Sequence, residues 1–281
     1  MDKSKFLFKI YYIGKKKYFG SQRQLEFITI EHCFLNALIE RNYINESKNS
    51  QFEFASRTDR FVSARGSCFA CIIDKEPILM EINSVLPKEM GIWAYSKVPL
   101  DFSSRYNAKL RHYVYIVPTP LHYLEKKDMI NLAILEKACK KLQGRHDFVN
   151  FSKKEKKEII TIRDLDVVNL SVVNDYLVFI FKSRAFLRQQ IRRIVKKLLE
   201  LGTGEISYNE FIDLFDNSKI VSYQPADPKG LILWDIIFDD KIRFIEDPKS
   251  KERMYKFFQK EELKFGHRNK LFRTLQQDDF G

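Results

Sequence analysis

The sequence predicts an α+β protein in two halves, built on a mainly antiparallel mixed sheet with helices packed on one side. Its 281 residues correspond to about two domains. Hydrophobic residues make up 44% of the chain, enough for a core, and charged residues make up 31%, which suits a solvated surface. Short apolar runs of period two occur together with segments of helical periodicity. We place the N-terminal half at 1–106, the C-terminal half at 107–240 and a basic extension at 241–281.

The N-terminal half is predicted to begin with a strand at Phe6–Ile13, where apolar side chains alternate. A basic loop bounded by glycines follows at 14–24. Thr29 suits the N-cap of a helix that runs to about Arg41. A short helix is expected ahead of Leu86-Pro87. Three further runs are predicted strands: Phe52–Ala55, Ser67–Ile73 and Gly91–Val98.

Four strands are predicted in the C-terminal half: Arg111–Val117, Ile160–Leu170, Tyr176–Lys182 and Leu231–Phe238. Pro118 is expected to end the first of these strands, because proline has no backbone N–H to donate. Asn174-Asp175 predicts a turn between the second and the third.

Helical periodicity predicts three helices in the same half: about Asp128 to Leu142, Ala185–Leu201 and Tyr208–Phe215. Gly144 is suited to end the first of them. The second has an apolar stripe with Arg188 and Arg192 along one edge, from which a guanidinium can reach into a groove. A solvated basic face is the alternative for this helix. In the extension, Lys249–Lys264 predicts an amphipathic helix that packs on the body or on a bound partner.

The charge balance favours a polyanionic partner. The chain has 49 Lys plus Arg against 37 Asp plus Glu, a net charge of +12 and a pI near 9.3. Cations on phosphates release counterions, so nucleic acid is one explanation, and the lysine content of an AT-rich or thermophilic genome is the other. The four cysteines are expected to be reduced thiols, and their spacing suits no metal. With no apolar run of membrane-spanning length and no signal peptide, we expect a soluble intracellular protein.

Three segments contain residue types that are suited to catalysis or to binding a base. In the first, Asp59 lies between Arg57 and Arg60, which would keep its carboxylate ionised and oriented as a nucleophile requires. The alternative is an ordinary salt bridge in a loop. In the second, Tyr113 and Tyr115 share one face of a strand and can stack on an unpaired base or simply pack. The third is the basic helix that contains Arg192.

Together and in this order, the three segments resemble the motifs of the TruA-type tRNA pseudouridine synthases, of the archaeal type. The matching motifs are Arg57-Thr58-Asp59, Arg111-x-Tyr113-x-Tyr115, and Phe186-Leu187 with Ile191-Arg192 and Ile194-Val195. Weaker matches are Phe19-Gly20-Ser21-Gln22-Arg23-Gln24, Leu86-Pro87, Phe102-x-x-Arg105-Tyr106 and Pro228-x-Gly230-Leu231-x-Leu233. The resemblance covers about residues 6 to 238.

This resemblance implies roles for individual residues. It implies that Asp59 is the nucleophilic or charge-stabilising carboxylate, that Arg57 helps to extrude the base, and that Tyr113 stacks on the target uracil. It further implies that Arg192 pairs with Asp59. The residues expected to contact the substrate are Arg23, Arg60, Arg111, Tyr115, Arg188 and Leu233. Enzymes of this family use no cofactor and no metal.

The resemblance also implies tRNA as substrate, modified in the anticodon arm at positions about 38 to 40. The expected protein is a cytoplasmic homodimer, or a nuclear one in a eukaryote, without membrane association. The sequence departs from the family pattern where glycines usually flank the motif, since Ser56 and Phe61 occupy those places. Glycine there would permit positive φ or close approach of RNA, so Phe61 is expected to reshape the entrance. Two alternatives stay open: a catalytically silent RNA-binding protein on the same scaffold, and a pseudouridine synthase for another RNA.

Overall fold

One large mixed sheet connects both halves of the protein. The computed structural model describes residues 3–45, 50–125, 130–154 and 159–276. In the N-terminal half the elements are β1 Ser4–Tyr12, α1 Ile30–Glu40, β2 Glu53–Phe54, β3 Ser63–Ile73, α2 Leu79–Val85 and β4 Met90–Val98. In the C-terminal half they are β5 Leu110–Pro120, α3 Leu121–Glu125, α4 Leu132–Leu142, β6 Gly144–Asp147, β7 Ile162–Leu165, β8 Val167–Val173, β9 Tyr176–Ser183, α5 Gln190–Gly202, α6 Tyr208–Asp213 and β10 Leu231–Ile237. The extension contains β11 Ile245–Glu246 and α7 Pro248–Thr274.

The strand order places the last strand of the C-terminal half at the centre of the sheet. The order is β11-β4-β1-β3-β10-β5-β9-β8, with β2 beside β3, while β6 and β7 form a separate pair. Every neighbouring pair is antiparallel except β3 and β10, which run parallel through Ile232 opposite Ser63 and Leu233 opposite Ala64. This short parallel contact is where the strands of the two predicted halves meet. The α+β class with a mainly antiparallel sheet is therefore confirmed.

The helices fall on both faces of this sheet, whereas the sequence predicted them on one side. On one face, Phe34 of α1 packs on Phe69 of β3, with ring centroids 5.5 Å apart. On the other face, Met254 of α7 is fully buried against Tyr11 and Trp93. Since side chains alternate along a strand, Tyr11 points away from the main core that its neighbour Tyr12 joins. The main core lies on the α1 face.

Several element boundaries were predicted correctly. Thr29 is the N-cap of α1, and its side chain accepts a hydrogen bond from the His32 backbone N–H. Asn174 and Asp175 both have positive φ, 48° and 67°, as a tight hairpin turn requires. Gly144 has a φ of +85° two residues after the end of α4.

Other boundaries were wrong, each for a local reason. The strand expected to stop at Pro118 continues to Pro120, because its register with β9 becomes irregular after Ile116 and the missing N–H is tolerated there. The run Ile160–Leu170 forms two strands, since β7 pairs with β6 whereas β8 joins the large sheet. Helix α4 begins at Leu132, with Asn131 as its N-cap, and the predicted start at Asp128 lies outside the described residues.

The extension is fixed to the body by its first helical turns. The guanidinium of Arg253 donates to the Tyr11 hydroxyl at 2.6 Å and to the Met90 carbonyl oxygen at 2.9 Å. Ser250 and Met254 are the buried residues of α7, and the helix is longer than predicted, reaching Thr274. The amphipathic helix therefore packs on the body through its N-terminal part. Within the described ranges, no helix is both long and apolar enough to cross a bilayer.

Candidate active site

A cleft of about 770 Å³ opens between the two predicted halves. Its walls come from the 19–24 loop, the 52–62 segment, β5 and the 185–192 segment. Seven of the ten predicted site residues line it: Arg57, Asp59, Arg60, Arg111, Tyr113, Arg188 and Arg192. The cleft thus brings together all three segments that the sequence singled out.

Asp59 and Arg192 form an ion pair inside this cleft. Arg192 Nη1 donates to Asp59 Oδ2 at 2.6 Å, and the side chains are 10% and 34% exposed respectively. Arg192 Nε also donates to the Ala226 carbonyl oxygen at 2.8 Å, so two edges of one guanidinium are used. The carboxylate comes from the N-terminal half and the arginine from the C-terminal half. The ion pair therefore forms only when the two predicted halves are correctly placed relative to each other.

Ser21 and Tyr12 hold the loop that carries Asp59. The Thr58 backbone N–H donates to Ser21 Oγ at 2.7 Å, and the Ser21 N–H donates to the Thr58 carbonyl oxygen at 3.1 Å. The Thr58 hydroxyl lies 2.8 Å from the buried Tyr12 hydroxyl. These three bonds immobilise the residue next to the carboxylate and so fix its direction. Sequence reasoning missed Ser21 and Tyr12, although the turn residues Gly20-Ser21 were a signal.

Phe61 adopts a backbone conformation that favours glycine. Its φ is +70°, in the left-handed region, and the turn is closed by the Val62 N–H bonding to the Asp59 carbonyl oxygen at 3.2 Å. The backbone geometry that glycine would supply is therefore kept, at a conformational cost. The Phe61 ring lies 5.0 Å from the Arg60 guanidinium and does not line the cleft. The expected effect of Phe61 on the entrance therefore stays a prediction, and its ring reaches the cleft wall through Arg60.

Tyr113 presents a protonated hydroxyl in the cleft. Its ring meets Phe186 edge-to-face at 5.4 Å, and its hydroxyl lies 2.8 Å from Ser56 Oγ. Burial raises the pKa of Tyr113, and the nearby Asp59 carboxylate adds to this, whereas Ser56 and Arg111 act in the opposite direction. The neutral phenol can donate a hydrogen bond at physiological pH but is a poor proton acceptor.

Comparison with known proteins identifies the family. A family model described as tRNA pseudouridine synthase matches residues 138–239. A tRNA pseudouridine synthase A of Methanothermobacter thermautotrophicus is 32% identical over 257 residues, covering 92% of this chain and 90% of the relative. Those of Methanosphaera stadtmanae and Pyrococcus abyssi are 31% and 33% identical, covering 90% and 92% of each chain. The chain belongs to the tRNA pseudouridine synthase A family.

The family relationship extends into the C-terminal extension. The motifs alone supported a resemblance over residues 6 to 238. The alignment with the Methanothermobacter thermautotrophicus relative covers 92% of the chain, which is more than that range. Part of the 241–281 extension therefore has a counterpart in these archaeal family members. This agrees with the packing of the first turns of α7 on the body of the protein.

Arg111 contacts the protein's own main chain in this family member. Its guanidinium donates to the carbonyl oxygens of Ala55 at 2.7 Å and Arg105 at 2.9 Å, and also to that of Arg184. Burial lowers its pKa. Three of its N–H donors thus bond to three segments around the cleft, which Arg111 also lines, and the substrate contact predicted for it stays a prediction.

The other arginines differ in how they are held. Arg60 Nη2 donates to the Lys16 carbonyl oxygen at 2.6 Å, and its guanidinium lies 3.9 Å from the centre of the Phe19 ring. Arg57 is exposed at the cleft and makes no hydrogen bond or ion pair with the residues that the structure describes. Arg188 precedes α5, which begins at Gln190 and not at Ala185 as predicted, because Gln189 has a φ of +59°. It is nevertheless exposed at the cleft.

Three predicted substrate contacts lie outside the cleft wall. Tyr115 is 1% exposed and donates its hydroxyl to the Asp227 carbonyl oxygen at 3.0 Å. Leu233 is fully buried in the core, whereas Leu231, at the start of the same strand, lines the cleft. Arg23 is on the surface beside the cleft residue Glu31, with Nε 3.8 Å from Oε1.

Proposed function

We propose that this protein isomerises uridine to pseudouridine in tRNA. The observation that carries the proposal is the Asp59–Arg192 ion pair at 2.6 Å inside a cleft lined by arginines. The guanidinium directs the carboxylate through a charge-assisted hydrogen bond, and the surrounding cations suit the phosphates of an RNA backbone. The tRNA substrate comes to this chain from the names of its relatives.

The chemistry breaks the C1′–N1 bond of uridine, turns the uracil and rejoins it through C5. The Asp59 carboxylate attacks C1′ to form an ester that C5 of the uracil later displaces, or it stabilises an oxocarbenium-like intermediate, or it accepts the C2′ proton as a glycal forms and returns that proton when C5 bonds to C1′. Each of these routes uses a carboxylate close to the sugar. The departing uracil takes the electron pair of the broken bond and returns it in the new C5–C1′ bond. The C5 proton then leaves to water, since the protonated Tyr113 is not a base at neutral pH.

The hydrogen bonds in the cleft indicate which residues position the reacting groups. Arg192 holds Asp59 while Ala226 holds Arg192. Tyr113 offers its ring to the uracil and its hydroxyl as a hydrogen-bond donor, and the exposed Arg57 is free to replace the base that leaves the RNA helix. Arg60 and Arg188 are placed at the cleft, where phosphates would pass.

The proposed target lies in the anticodon arm, at positions about 38 to 40, as the family resemblance implies, in a cytoplasmic enzyme. Mapping the modified uridines in a transcript mixture, before and after treatment with the protein, tests this directly. Pseudouridine confined to another part of tRNA, or to another class of RNA, would overturn the position while keeping the reaction.

The proposed assembly is a homodimer, supported by an uncovered apolar sheet face. On the side opposite Tyr113, strands β10, β5 and β9 present Ile232, Val114 and Ile180 side by side. Ile116 and Trp234 on this face are 37% and 42% exposed. Apolar side chains at these outward positions suit contact with another protein surface. Sedimentation analysis of the wild type and Ile116→Glu tests it: a dimer that becomes monomeric is expected, and a wild-type monomer would contradict the proposal.

The rival function is an RNA-binding protein without activity. Incubation with tRNA labelled with tritium at C5 of uridine separates the two, because only isomerisation releases the label. We expect release with the wild type and none with Asp59→Asn. Tight binding of tRNA without release by the wild type would favour the silent protein.

A further inference from the structure

A fully exposed leucine stands at the tip of the loop that borders the cleft. Leu25 is 104% exposed, and its neighbours Phe27 and Ile28 are 40% and 57% exposed. A single exposed leucine is ordinary on a protein surface. Its position and the rigidity of its loop are what give Leu25 significance.

The position of Leu25 is at the mouth of the catalytic cleft. Gln22 and Gln24 both line the cleft together with Asp59. Leu25 follows Gln24 directly, so its Cα lies about 3.8 Å from that of a cleft residue. The same loop is bonded through Ser21 to the segment that carries Asp59. Leu25 itself does not line the cleft, and its exposed side chain lies one residue beyond the cleft wall.

The loop that presents Leu25 is braced. The Phe19 N–H donates to the Ile28 carbonyl oxygen at 2.9 Å, and Gln24 Nε2 donates to the Phe19 carbonyl oxygen at 2.7 Å. The Phe19 and Phe27 rings stack at 4.2 Å, and the Arg60 guanidinium covers the Phe19 ring at 3.9 Å. Because these contacts fix the loop in advance, little ordering entropy is lost when its tip meets a partner.

We propose that Leu25 is a wedge that enters the base stack of the substrate RNA beside the target uridine. A uridine that turns out of a helix leaves a gap and loses its stacking and pairing. Leucine is among the apolar side chains that proteins insert between base steps, and insertion removes Leu25 from water. The nearby cations Arg23 and Arg60 suit the phosphates on either side of such a gap.

This inference rests on the proposed function and is tested apart from it. The substrate is a tRNA transcript in which a converted uridine is base-paired, together with the same transcript in which the opposing base is changed so that the uridine is unpaired. Single-turnover conversion with excess enzyme is measured for the wild type, Leu25→Ser and Leu25→Met. The control is Ile78→Ser, which removes an apolar side chain that is 62% exposed and does not line the cleft.

Leu25→Ser is expected to slow conversion of the paired uridine about ten-fold or more, equivalent to about 1.4 kcal/mol, and to leave the unpaired uridine within about two-fold of the wild type. Leu25→Met, which keeps an apolar side chain of similar size, and Ile78→Ser are expected to stay near the wild type on both transcripts. Equal rates for Leu25→Ser and the wild type on the paired uridine would overturn the wedge, as would equal slowing on both transcripts. If the wild type converts neither transcript, the proposed function fails instead.

Discussion

Replacing Asp59 by asparagine separates its part in catalysis from its part in folding. The attraction of two charges about 4 Å apart is about 4 kcal/mol at an effective dielectric constant of 20. Asp59 is 34% exposed, so solvent screens part of this attraction. Removing one partner of a buried ion pair costs about 3–5 kcal/mol of folding stability, whereas an exposed ion pair contributes about 0–1 kcal/mol. Because this pair is partly exposed, we expect its loss to cost about 1–2 kcal/mol. The amide of the substituted side chain would keep an oxygen acceptor for Arg192, which limits the loss further.

The expected result for Asp59→Asn is a folded protein that binds RNA and forms no product. A loss of about 1–2 kcal/mol lowers the melting temperature by about 2 to 8 °C. Product is measured in a single turnover with excess enzyme, so that slow release does not hide the chemical step. Pseudouridine formed by Asp59→Asn at anything near the wild-type rate would refute the assignment.

Arg192→Lys extends the same test to the partner. Lysine keeps the charge but has no planar fork, so it cannot hold the Asp59 carboxylate and the Ala226 carbonyl at once. Strong impairment is expected, with residual activity. The matched control is Arg193→Lys on the same helix, since Arg193 is 9% exposed and packs over the Tyr223 ring at 5.0 Å without contacting Asp59. Equal damage from both substitutions would show that the helix, and not the pair, was disturbed.

Three further results are expected. Tyr113→Phe should bind tRNA nearly normally but react more slowly, and a rate equal to that of the wild type would remove the hydroxyl from the mechanism. Because burial raises the pKa of Tyr113, the pH–rate profile of the wild type should show no change due to this group below about pH 10. The affinity for tRNA should fall by orders of magnitude between about 50 and 200 mM salt, and a flat binding curve would contradict a groove that follows phosphates. A chain ending after Asp240 should be clearly less stable in thermal melts than one ending after Gln259, because only the first loses Arg253 and the fully buried Met254; equal melting temperatures would contradict this.

Sequence patterns predicted elements whose determinants are local. Helix α1 follows from the N-cap Thr29, and the hairpin turn follows from Asn174 and Asp175, which adopt positive φ. The start of α5 was wrong because the apolar pattern continues through Leu187. The chain before Gln190 instead turns at Gln189 and bonds to another segment, with the Lys153 N–H donating to the Arg188 carbonyl oxygen.

The sequence motifs predicted which side chains meet at the candidate site, but not the groups that orient them. The contact between Asp59 and Arg192 is present in the structure, while the catalytic roles of both residues stay predictions. The groups that orient them were not predicted: the Ala226 carbonyl oxygen has no sequence signature, since any residue has a carbonyl, and the turn at Gly20-Ser21 indicates a loop without showing what Ser21 bonds to. Arg111 shows the converse: its motif suggested contact with RNA, and the fold uses its donors on three carbonyl oxygens.

The central position of β10 has a consequence for synthesis on the ribosome. This strand lies between β3 and β5, and it is translated after both of them. Until Leu231–Ile237 emerges, the nascent chain has an open edge on β3 and another on β5, each able to pair with a strand of a different chain. Asp59 and Arg192 can form their ion pair only after β10 has joined β3 and β5 into one sheet. Chaperone dependence during translation and complete inactivity of any chain that stops before Leu231 follow from this order of events.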